Sequence, residues 1–390
     1  MTRDLHLILV SSTLRAVAVG ALSIAYGLYL AALGLGEFEI GLCIAVGLAG
    51  MAAGTLIAGV FADRIGRRKS LVLFTLVTAG GGTLLALTNS IGPLLGASFI
   101  GMVNGMGRDR GPLQAIDQAV VAQSTDPSRR TAAFSRYSFL QDIGTAVGAF
   151  LGGMPSSLGD FRLLLVGYGA ILCSTILLYR FLHSSVEVAE QNEKAPTLSP
   201  ASRKRVIGFA GLSTLDSLGG GFITRSLLAY WFMKRFDLDP AWIGGMFAIA
   251  SLVNAVAYFA AERIARWIGL LNTMVFTHIP SSLFLMAVAF APNFPVAVVL
   301  FVLREFFSPM DVPTRQSYLA AIVEDRERTA AAGLVNMARN AAWVVGPTLA
   351  GWAMTISFSA PLFLAGGFKI VYDLSMWFSF RKVVPPEEQS

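Results

Sequence analysis

Arg15, Asp142, Asp216 and Arg339 lie deep inside long apolar runs, as do the neighbouring pairs Arg108 with Asp109 and Arg304 with Glu305, and Lys369 with Asp373. A charge at the centre of an apolar span costs roughly 2.5–3.5 kcal/mol on insertion scales, so each calls for a chemical use or a partner. Two uses suit these residue types. A carboxyl group in apolar surroundings takes up and releases protons near neutrality, because burial disfavours its charged form. Asp142, Asp216, Asp109 and Glu305, in that order, are the candidates for proton coupling. Guanidinium groups grip a carboxylate or phosphate through two parallel hydrogen bonds. Arg15, Arg108, Arg304 and Arg339 are the candidates to line a solute path. Asp117, Asp311 and Arg315 stand nearer the ends of their runs and are expected to form the ion pairs of a gate or scaffold. Lys369 and Asp373, spaced i and i+4, are expected to neutralise one another on one helix face. Arg110 and Arg136 are expected to snorkel or brace loops.

The elements that must position these groups follow from hydropathy. With 55% hydrophobic and 14% charged residues and a mean hydropathy of +0.64, the 390-residue chain is an integral membrane protein. Its apolar runs are about 20 residues or longer, the length of spanning helices and not of barrel strands. Twelve such runs are expected. Six fill residues 1–182, a polar linker occupies 183–205, six more fill 206–380, and 381–390 form a tail. The first run is too long for a cleaved signal core. Lys and Arg concentrate in alternate short loops, which places both termini and the linker in the cytoplasm by the positive-inside rule. The net charge of +6 is therefore a topology signal and does not imply nucleic acid. Trp231, Trp242 and Trp377 near run ends are expected to anchor the interfaces. Cys43 and Cys173 are expected to be small buried hydrophobes. With His6, His183 and His278 scattered along the chain, no metal site or cofactor is indicated.

Two runs are interrupted. Gly105, Gly107, Gly111 and Pro112 surround the charges of run 4, and Pro309 and Pro313 surround Asp311 and Arg315 in run 10. Loosened turns at corresponding places in two halves point to a site near the bilayer midplane. The halves are themselves related. Residues 118–153 align with 316–351, matching Arg130-Thr131-Ala132-Ala133 to Arg328-Thr329-Ala330-Ala331, and Ser12-Thr13-Leu14-Arg15 aligns with Ser213-Thr214-Leu215-Asp216. This pairs Arg15 with Asp216 and Asp117 with Arg315, opposite charges that are expected to meet between the halves.

Between runs 2 and 3 stands Gly59-Val60-Phe61-Ala62-Asp63-Arg64-Ile65-Gly66-Arg67-Arg68-Lys69, with a worn second copy at Ala261-Glu262-Arg263-Ile264-Ala265-Arg266. The stretch resembles the signature loop of the major facilitator superfamily. That resemblance implies an all-α fold of two pseudo-symmetric six-helix bundles and transport by alternating access, as a monomer. It also implies that Gly59, Asp63, Arg64, Gly66 and Arg67 form a conformational latch, in which the glycine lets helices approach and the aspartate meets a helix N-terminus. Short loops and an intact signature resemble the exporters of the superfamily, so proton-driven efflux of a drug-like or metabolite solute across a bacterial-type inner membrane is expected. The mid-span arginines suggest an anionic solute as the alternative. Gly80-Gly81-Gly82 lacks the Lys and Ser or Thr of a phosphate loop, so an ion or solute gradient supplies the energy. A membrane-embedded enzyme would need a nucleophile with a base, or a metal set, near the interface, and the sequence offers neither. A receptor or scaffold that moves nothing has no need of so many mid-span charges.

Overall fold

The computed structural model describes residues 3–107, 111–125, 130–183, 186–187, 198–324 and 327–383. Within them the chain is helical: α1 (Arg3–Ala32), α2 (Glu37–Ile65), α3 (Arg67–Ala86), α4 (Ile91–Ile100), α5 (Pro112–Gln123), α6 (Arg130–Gly152), α7 (Leu158–Tyr179), α8 (Pro200–Phe222), α9 (Arg225–Phe236), α10 (Pro240–Ile268), α11 (Leu270–Val288), α12 (Phe294–Phe307), α13 (Asp311–Ala321), α14 (Arg328–Ile356) and α15 (Ala360–Phe380). Taken together, α4 with α5, α8 with α9, and α12 with α13 are three interrupted spans, which leaves the twelve spans expected from hydropathy. The first break follows Gly101 and Met102, whose φ is +50°, and ends where Pro112 opens α5. The third is a 3-10 turn over Ser308–Met310. The second, at Ile223 and Thr224, bends the chain by 41° with no proline at the bend, and the Thr224 side chain caps α9 by accepting from Leu227 N–H at 3.4 Å.

The surface is the reverse of that of a water-soluble protein. Trp267, Phe290 and Leu163 are 89%, 76% and 72% exposed, whereas Asp117 and Asp373 are 0% exposed. Large apolar side chains face outward and charges inward, as hydrocarbon solvent requires. Two sequence expectations change here. Trp231 is fully buried, stacked edge-on against Phe232 and Phe236, and so anchors packing, not an interface. Cys173 is exposed on α7, while Cys43 is buried.

The chain divides into two compact units, residues 1–192 with 224–251, and residues 193–223 with 252–390. In the first, α1 packs on α6 and α7, α3 on α7 and α4, and α2 on α4 and α5; in the second, α8 packs on α14 and α15, and α11 on α15, α12 and α13. The shared pattern is the structural form of the internal repeat. α9 clusters with the first unit because Ser226 donates from its backbone to Gly105 O (3.1 Å) and from its hydroxyl to Ser23 O (2.7 Å). Tyr230 adds a hydrogen bond to Glu37, at 3.0 Å.

Small residues set the closest contact in the first unit. Gly144, Gly148 and Gly152 recur every four residues along α6, and a Cβ on any of them would run into backbone of Thr13, Val17 or Ala21 on α1. Because the obstruction is backbone, it cannot rotate aside. Gly148→Leu is expected to lower stability by about 1–3 kcal/mol through overpacking, read as a drop in thermal midpoint of the detergent-solubilised protein, whereas Gly167→Leu, which faces open space, should leave the midpoint where it is.

Candidate functional site

Along α1 the hydroxyls of Ser11, Ser12 and Thr13 fold back onto carbonyls of their own helix, at 3.0, 3.0 and 2.7 Å. Arg15 is left to reach outward from the helix. It forms a fully buried ion pair with Asp117 on α5 and donates to the Tyr179 hydroxyl of α7 at 2.8 Å. Tyr137 of α6 donates to the same carboxylate at 3.4 Å and is held by Gln141 at 2.9 Å. Four helices thus converge on one pair. Beside it lies a small cavity of about 30 Å³, lined by Arg15, Thr78, Asn104, Met102 and Tyr168 among others. Asp142 is also buried, on α6. Arg108, Asp109 and Arg110 lie outside the described residues.

The second unit contains a larger cluster. Asp216 of α8 receives Lys369 of α15 on Oδ1 at 2.7 Å, and Arg339 of α14 and Arg315 of α13 on Oδ2 at 2.8 and 3.2 Å. Arg315 also binds Asp311, one turn earlier, at 2.6 Å; Asp311 sits in the first turn of α13, where the helix dipole favours an anion. His278 of α11 stands between two members of α15. Its Nδ1 is 2.9 Å from Asp373 and its Nε2 is 3.3 Å from Lys369 Nζ. Each cation therefore has a carboxylate partner, which is how charges persist in a low-dielectric interior.

This geometry corrects two expectations. Lys369 and Asp373 do not neutralise one another: the first turns to Asp216 and the second to His278. Nor do the repeat-related charges seek each other between the halves. Arg15 pairs with Asp117, and Asp216 with Arg315, each inside its own unit. Because the alignment matches Arg15 to Asp216 and Asp117 to Arg315, the two pairs are the same bridge with its polarity reversed.

Near the break in the tenth span, Glu305 forms an ion pair with its neighbour Arg304 and accepts from Asn254 Nδ2 of α10 at 2.7 Å. Near the bend between α8 and α9, Arg225 donates to Ser251 at 3.0 Å and lies 5.7 Å from the Phe247 ring centroid.

In the loop between α2 and α3, Gly66 takes φ +101°, a conformation costly for any side chain. Asp63 accepts from Arg67 at 2.7 Å, and Arg67 also reaches Gln123 at 2.6 Å. The N-terminus of α3 is capped from afar by Glu187, which accepts from the backbone N–H groups of Arg67 (2.5 Å) and Arg68 (3.2 Å). Asp63 itself is half exposed, Arg64 is exposed, and a Cβ on Gly59 would meet nothing within 4 Å. The structural counterpart of Gly66 is Gly269, at φ +86°. Both glycines donate to a carbonyl four residues back, Ala62 O at 3.0 Å and Ala265 O at 2.9 Å. That places the worn copy of the loop one turn later than the sequence alignment puts it.

In keeping with the signature loop, the interrupted spans and the doubled packing pattern, a family model described as the Major Facilitator Superfamily matches residues 8–303 and 222–390. The chain belongs to this superfamily. It is 26% identical to the membrane protein YJR124C of Saccharomyces cerevisiae, over 90% of this chain and 88% of that protein. It is 25% identical to the class D tetracycline resistance protein of Salmonella ordonez, over 75% and 73%. The nucleoside transporter NupG has the same fold, with a TM-score of 0.78 over 98% of this chain and 100% of that one, at 15% identity. As a facilitator, the protein is a multi-pass membrane transporter and not an enzyme, built as twelve spans in two related bundles.

Three facilitator groups escaped the sequence reading. His278 looked like one of three scattered histidines, and only packing of α11 on α15 brings it to Asp373. Arg225 sits at a bend without a proline. Glu187 lies 120 residues from the loop it caps; its place at the start of the linker was the one available hint.

Proposed function

We propose that this facilitator moves a small solute out of the cytoplasm by alternating access, coupled to protons. The observation that carries the reading is the collection of mid-span charges into buried clusters that tie interrupted helices to intact ones, at Arg15 with Asp117 and around Asp216. Breaking and remaking such bonds is a cost that an ion gradient offsets. Export takes support from the tetracycline resistance relative. Residues 1–182 and 206–380 are the moving bundles, joined by 183–205, with both termini cytoplasmic in a bacterial-type inner membrane and the monomer as the working unit. The cavity beside Arg15 belongs to the solute path, with Arg304 and Arg339. Asp142, Asp216, Asp109 and Glu305 remain the carboxyl candidates for proton exchange, Asp216 with three cations on its oxygens. The second reading, an anionic solute, is favoured by that same cradle of Arg315, Arg339 and Lys369, because it already binds a carboxylate.

Proteoliposomes with an imposed pH gradient test the reading, with tetracycline and benzoate as probes. Movement of either probe that follows the gradient and stops with an uncoupler is expected; binding without movement would favour a receptor. Asp63 and Gly59 present the surface that latches in the alternate state. Asp63→Asn is expected to reduce transport several-fold at unchanged membrane abundance, and full transport in that variant would remove the latch assignment.

A further inference from the structure

The imidazole of His278 bridges two opposite charges, and its geometry assigns its proton. Asp373 faces Nδ1 at 2.9 and 3.1 Å, so Nδ1 donates; Lys369 Nζ faces Nε2 at 3.3 Å, so Nε2 accepts. With a neutral imidazole, the cluster holds Arg315, Arg339 and Lys369 against Asp216, Asp311 and Asp373, and its charges balance. The groups facing His278 are Asp373, Lys369 and the Tyr372 ring from α15 and Asp216 from α8, with Asp311 and Arg315 of α13 and Arg339 of α14 behind Asp216.

A second proton on this ring has one place to go, Nε2. There it meets the Lys369 ammonium, and two donors then compete for Asp216 Oδ1, which lies 2.7 Å from Lys369 Nζ and 3.7 Å from His278 Nε2. We infer that His278 is a proton-operated release for Lys369, and that the freed ammonium joins Arg315 and Arg339 in binding the carboxylate or phosphate of a solute. One N–H bond forms at Nε2 from a solvent proton, Lys369 stays protonated, and His278 takes over its place on Asp216. The cluster gains one positive charge, which one monoanion neutralises. One further feature suits an incoming polar group. Ser213 and Ser217, one turn apart on α8 around Asp216, are fully buried and their hydroxyls have no hydrogen-bond partner among the described residues. Gly219 lets the Lys369 chain pack closely on α8, since a Cβ there would come within 3.2 Å of Lys369 Cγ. This inference rests on the transport reading and gives its anionic variant a site.

The test starts from His6→Gln/His183→Gln, which leaves His278 as the sole histidine without touching the cluster. Nitrogen-15 imidazole spectra of this protein are expected to report the Nδ1–H neutral form at pH 8 and the doubly protonated form in acid. Binding of benzoate, and separately of inorganic phosphate, is measured at pH 8 and pH 6. Tighter binding at pH 6 by about tenfold is expected, with benzoate alone responding if the site takes carboxylates and both if it takes anions generally. Lys369→Met should weaken binding at both pH values, and Lys369→Arg should restore it. His278→Gln should abolish the pH dependence. An imidazole in one state throughout, binding of neither anion at pH 6, or pH dependence that survives in His278→Gln each overturns the inference. The transport reading fails separately. Solute movement indifferent to a pH gradient, with proton-linked benzoate binding intact, removes that reading and leaves this one. Gradient-driven movement with pH-independent binding does the reverse.

Discussion

Asp216→Ala is expected to destabilise the protein by about 3–5 kcal/mol, the scale for removing one partner of a buried ion pair. The loss is large because a single carboxylate serves three cations. Without it, among the described residues, Lys369 retains the His278 nitrogen, Arg339 loses its carboxylate partner, and Arg315 is left with Asp311. Each uncompensated cation is a buried charge in low dielectric, where Coulomb terms are strong. Thermal unfolding in detergent measures the effect. Adding Lys369→Met to Asp216→Ala should recover part of the loss by removing one stranded ammonium, and this partial rescue separates electrostatics from the cavity left by the shortened side chain. A double variant no more stable than the single one would assign the loss to packing.

Arg15→Asp is expected to have an effect of similar size, about 3–5 kcal/mol, since it sets two carboxylates against each other in a fully buried space on α1 and α5. The exchange Arg15→Asp with Asp117→Arg should restore most of the stability. The second unit already contains that arrangement, an aspartate on α8 facing an arginine on α13, so the fold accepts the bridge in either polarity. Tyr179 and Tyr137 favour the exchange, because a hydroxyl can donate to a carboxylate or accept from a guanidinium. Thermal midpoints of the two single variants and the exchange form a double-mutant cycle, and an exchange no better than the worse single variant would show that polarity is fixed by the surroundings.

Much of this was legible beforehand. The spans came from hydropathy, and the breaks before Pro112 and at Ser308–Met310 from clustered Gly and Pro. The interior position of Arg15, Asp216 and Arg339 followed from the cost of placing charge in lipid. What stayed hidden was partner choice. Spacing along one helix brings Lys369 and Asp373 to the same face, yet side chains on one face can point to different neighbours, and α8 and α11 each offered a better partner. The same limit kept His278 out of view. The bend before α9 escaped because its backbone groups are satisfied by Thr224 and by Gly105, in the break between α4 and α5, not by a local breaker.

The spread of the Asp216 partners along the chain bears on how the protein is made. Its carboxylate binds Arg315, Arg339 and Lys369, which follow it by 99, 123 and 153 residues. During synthesis α8 therefore enters the membrane long before any of these cations exists, while Arg15 waits 102 residues for Asp117. An unfinished chain holds these charges exposed to lipid or to whatever shelters them, and Arg315 and Arg339 are the first cations that can answer the Asp216 carboxylate. Chains cut short before Arg315 would thus carry a built-in mark of incompleteness, the Asp216 carboxylate without its cations, on which surveillance of newly made membrane proteins can act.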